Sequence, residues 1–75
     1  MGLRMTIVEV FKTNVLKEDE AKHLIAKLLS HFPQCKINFD LQDCDKILRV
    51  EGKQIFPKKI VEVINGNGYQ CNVLD

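Results

Sequence analysis

The apolar spacing of this chain changes period most sharply at Pro33. No other feature constrains the fold as strongly. Before Pro33, Ala21, Leu24, Ile25, Leu28, Leu29 and Phe32 recur at alternating steps of three and one, the stripe of an α-helix. After it, Cys35, Ile37, Phe39 and Leu41 alternate with Lys36, Asn38 and Asp40, the pattern of a strand with one buried face. Proline has no amide hydrogen and pushes the residue before it out of the α region, so it separates the two patterns. A helix over 17–32 and a strand over 35–41 are therefore predicted.

The remaining segments fit around this pair. Residues 6–13 are rich in β-branched and aromatic types and read as a strand. Val8 and Val10 share one of its faces, and Ile7 and Phe11 the other. Residues 46–51 make a third strand with Leu48 and Val50 inward, reached through a turn at Gln42-Asp43-Cys44-Asp45. Pro57 suits the first position of a second helix, whose stripe is Ile60, Val61 and Ile64. Asn65-Gly66-Asn67-Gly68 stops it, and Tyr69, Cys71 and Val73 alternate as a last short strand. The order β-α-β-β-α-β predicts one α+β domain of ferredoxin-like type over residues 1–75. It is a four-stranded antiparallel sheet with both helices on one face. That topology gathers the turn Thr13–Glu20, the Asp43–Asp45 turn and the loop ending at Tyr69 at one end. His31 and Cys35 belong to the other end.

Composition narrows the function. Seventy-five residues bury only about 60% of the surface their unfolded chain exposes, so there is little core to spare. The net charge of +1 leaves no footprint for nucleic acid, and no apolar run is long enough to span a membrane. Met1-Gly2-Leu3-Arg4-Met5 has no apolar stretch, so no export signal is expected. Three cysteines without a CxxC pair then suit free thiols in a reducing cytoplasm.

Three stretches bear a resemblance to a known family: the helix Ala21–Leu29, the hairpin Ile37–Leu41 running into Leu48–Gly52, and the ending Val61–Ile64 through Gly68-Tyr69. Together they resemble the heavy-metal-associated (HMA) domain family, which includes small copper chaperones and modules of metal-transporting ATPases. The resemblance spans about Thr6 to Leu74. It implies a metal site, Gly-Met-x-Cys-x-x-Cys, in the first strand–helix turn. The matching positions here are Asn14, Val15, Lys17 and Glu20. Paired thiolates are what a soft ion such as Cu(I) needs, and neither an ammonium nor a lone carboxylate replaces them. The resemblance thus implies a degenerate member without the usual site and with no bound cofactor.

Other residues offer candidate chemistry. Cys44 and Cys71 fall near the same end and form an alternative, displaced site for Cu(I) or zinc. A cysteine on a strand's apolar face more often acts as a small hydrophobe. His31 and Cys35 make only two ligands, short of the three or four zinc takes. Asp40, Asp43 and Asp45 lack calcium-loop spacing. No pairing of nucleophile and base emerges, so an enzyme is not expected. Ile7, Phe11 and Ile47 are expected on the sheet face away from the helices, with Glu9 and Arg49 among them. An apolar patch there implies a protein partner or a weak homodimer.

Overall fold

The structure, a computed structural model, describes residues 6–74. The reading of Met1–Met5 as lacking an export signal lies outside them. Six elements follow in the predicted order: β1 (Ile7–Thr13), α1 (Glu18–His31), β2 (Lys36–Asp40), β3 (Ile47–Gly52), α2 (Pro57–Gly66) and β4 (Cys71–Val73). Pro33 acts as its chemistry requires. Phe32 closes α1 by donating its amide to Leu28 O at 2.7 Å, and the Cys35 amide bonds back to Phe32 O at 3.1 Å. Gly68, at φ +94°, turns the chain out of α2 in the left-handed region where a Cβ would be strained.

The strands form one antiparallel sheet in the order β2-β3-β1-β4, consistent with a ferredoxin-like arrangement. Phe11, Ile37, Leu48, Val50 and Cys71 are buried in one core with Ala21, Leu24 and Leu28 of α1 and Ile60 and Ile64 of α2. The α1 stripe is narrower than its spacing suggested, since Leu29 is exposed and Ile25 and Phe32 only border the core. Neither helix is long and apolar enough to cross a membrane among the described residues.

One assignment is reversed. Phe11 is fully buried, directly opposite Leu48, and belongs to the helix-covered face. Alternation puts Ile7 and Glu9 on that face too, with Ile7 exposed at the strand's end. The open face instead carries Val8 and Val10 from β1. Ile47 remains there as expected, opposite Lys12 and half-buried. Arg49 is on the open face but pairs along its own strand with Glu51 at 3.1 Å, not with Glu9. Both faces of β1 are apolar, so alternation alone could not choose between them. The choice follows volume: the core of so small a domain takes the phenyl ring and leaves the valines outside.

Candidate functional site

Three loops meet beyond the C-terminal end of β1. Thr13 is the hinge of this meeting. Its amide bonds to Asp45 O at 3.1 Å, and its buried hydroxyl donates to Lys46 O at 2.6 Å. The same oxygen accepts the Val15 amide at 3.2 Å. The β1–α1 turn is thereby tied to the β2–β3 turn. Asn14 makes the second tie: its Oδ1 accepts the Gln70 amide at 2.8 Å, linking the turn to the start of β4. The sequence placed these loops together; neither Thr13 nor Gln70 stood out as the residue joining them. A polar residue ending an otherwise apolar strand was the only available signal for Thr13.

Asn14, Val15, Lys17 and Glu20 each have a local job in the turn. Asn14 holds Gln70. Val15 is fully buried and anchors the turn in the core. Lys17 sits at the N-cap of α1 with extended backbone, φ −113° and ψ 146°. Glu20 reaches back, its carboxylate accepting the Lys17 amide at 3.4 Å. This is half of a capping box, and the other half is beyond Lys17, whose ammonium has no acceptor. Glu18, Asp19 and Glu20 put negative charge at the positive end of α1. The Tyr69 phenol is pushed above its ordinary value of 10.0 by desolvation, then by the charge and hydrogen bonding of Glu20 and the charge of Asp19. Between buried Val15 and Lys17, Leu16 is 69% exposed at the turn's tip.

The cysteines lie in three different environments. Cys44 is exposed, and its sulfur lies within 4.8 Å of carboxylate oxygens of Asp43 and Asp45. This is the one group of three or more such ligand atoms found among the described residues. Turn chemistry already accounts for it, since Asp43 Oδ1 accepts the Asp45 amide at 2.8 Å and Lys12 stands 3.7 Å from Asp45. Cys71 is opposite Thr13 in the core, 4% exposed, and burial pushes its thiol up to about 12. A thiol must lose its proton to ligate, and Cys71 is held in the protonated form. The group around Cys44 does not include Cys71. Cys35 lies at the far end, 3.9 Å from Gln54 O, where His31 packs against Phe32 with ring centroids 6.0 Å apart.

Searches of known protein families, of curated proteins and of solved structures find no match to this chain.

Proposed function

We propose that this chain is a small cytosolic binding module of HMA type, without the soft-metal site of that family, that docks on a protein partner or weakly on a second copy. One observation carries the reading: the β1–α1 turn is closed by its own side chains. The side chains of Asn14, Val15 and Glu20 hold the turn, Glu20 through the backbone amide of Lys17. A metal-transfer turn must open its ligands to an ion and then to an acceptor, and these residues supply no thiolate to do so. What remains is a turn tied to two neighbouring loops at the end of the sheet, which suits recognition and accessory work in metal handling. The free thiols of Cys35, Cys44 and Cys71 suit a reducing compartment. We assign this end binding and no reaction.

The second reading is a heavy-metal binder using Cys44 and Cys71. Exposed Cys44 favours it; buried, protonated Cys71 opposes it. Reduced protein titrated with Cu(I) against a chromogenic chelator, with mass spectrometry of the product, separates the two. The expected result is no stoichiometric retention by the wild-type protein and clear retention by Lys17→Cys/Glu20→Cys. Retention by wild type that Cys44→Ala abolishes would establish the second reading. Failure of the double cysteine variant would break the correspondence with the family's turn.

A further inference from the structure

The end of the molecule opposite that turn holds a cleft of about 890 Å³ that the proposed function does not use. Small-molecule sites commonly occupy roughly 300–1,000 Å³. His31 and Phe32 from the end of α1, Lys36 from β2, and Lys53, Gln54 and Phe56 from the β3–α2 connection form its walls. Phe56 leaves 48% of its surface in water. A second, apolar groove between the helix ends adjoins Phe32 and Phe56 and extends to Val63.

Cations outnumber acids on the walls of the cleft. Lys36 and Lys53 are exposed and form no ion pair among the described residues. The acid on the cleft wall, Glu51, is the cross-strand partner of Lys36 and is held by Arg49 at 3.1 Å. The first turn of α2 carries Lys58 and Lys59 and no acid; Lys59 is paired with Glu62 at 3.7 Å, which leaves Lys58 and the helix's positive end to add to the field. The acids of the first turn of α1 and of the Asp43–Asp45 turn lie at the far end and do not compensate. Uncompensated cations beside an uncovered aromatic ring are complementary to a ligand that is both anionic and flat.

We propose that this cleft binds a small organic anion with a flat apolar body, of the aromatic carboxylate class. The ring lies against Phe56 and Phe32. The carboxylate takes charge-assisted hydrogen bonds from Lys36 and Lys53, and the Gln54 amide supplies a neutral donor. An inorganic anion leaves the aromatic surface wet, and a neutral ring leaves the lysines without a partner. This site is independent of the β1–α1 turn and stands or falls separately from the function proposed above.

The probe is 2-naphthoate, titrated into isotopically labelled protein and followed through backbone amide shifts, with acetate and 2-naphthalenemethanol in parallel. The expected result is saturable shifts confined to His31, Phe32, Lys36 and residues 53–56. Lys36→Glu/Lys53→Glu should weaken naphthoate binding about tenfold or more, as should removing either the ring or the charge from the probe. Lys36→Gln/Lys53→Gln provides a gentler variant should the charge reversal disturb the amide spectrum. No saturation, shifts centred elsewhere, or equal binding of the alcohol would overturn the proposal.

Discussion

Single residues decide what the loop end of this protein can do. Thr13 satisfies two backbone groups with one hydroxyl, and Asn14 satisfies a third with its amide oxygen. Neither is a candidate for chemistry, because both are already used in holding three loops together. Cys71 shows the same logic in its proton. Its ordinary value is 9.0 and burial raises it to about 12. Below pH 9 the thiol is protonated in both folded and unfolded chains. Above it the unfolded chain loses the proton while the folded one keeps it, so unfolding gains free energy as pH rises. Tyr69, also raised, acts in the same direction above 10.0. Stability should therefore fall from pH 9 upward, and Cys71→Val should flatten the slope. Urea midpoints measured on either side of pH 9 check this; equal slopes in the two proteins would show that Cys71 is not buried as a thiol.

At the scale of elements, β1 is the instructive case. Apolar residues line both its faces, yet the two faces differ sharply in what they contribute. Phe11 is fully buried against Leu48, whereas Val8 is 42% exposed on the open face. Phe11→Ala should cost about 3–5 kcal/mol, the range for emptying a buried aromatic site. Val8→Lys should change stability by no more than about 0.5 kcal/mol, as exposed substitutions do. Thermal or urea unfolding of both variants makes the comparison. Equal losses would mean that the open face is covered in the free protein. In α1, the first turn and the stripe cooperate: acids stabilise the start, Leu24 and Leu28 supply the burial, and Phe32 before Pro33 ends it.

At the scale of the whole molecule, one thin layer of core separates the sheet from two helices, and the other side of the sheet is open. Val8, with half-buried Val10 and Ile47, lies on that side. If the partner in the proposed function is a second copy, wild-type mass in sedimentation should rise with concentration, and the folded Val8→Lys variant should remain monomeric. Concentration-independent mass would remove the second copy and leave a different protein as the partner. The two ends of the molecule differ in charge. Three acids open α1 beside the β1–α1 turn, and Lys36 and Lys53 line the opposite cleft.

The amino-acid sequence by itself determined the elements and their order. The period change at Pro33, the stripe of α1, the alternation of β2 and the stop at Gly68 are local patterns, and local patterns are readable without a fold. It also determined which loops share an end, because topology follows from element order. Only the tertiary structure decided which face of β1 is inside, because two apolar faces present the same period and only competition for limited core volume distinguishes them. The same holds for Cys71, whose burial depends on β4 pairing with β1, and for Asn14, whose partner Gln70 lies far along the chain. The cleft at the other end was equally hidden. His31, Lys36, Lys53 and Phe56 have no spacing in common, and they become neighbours only when α1, β2 and the β3–α2 connection end at the same place.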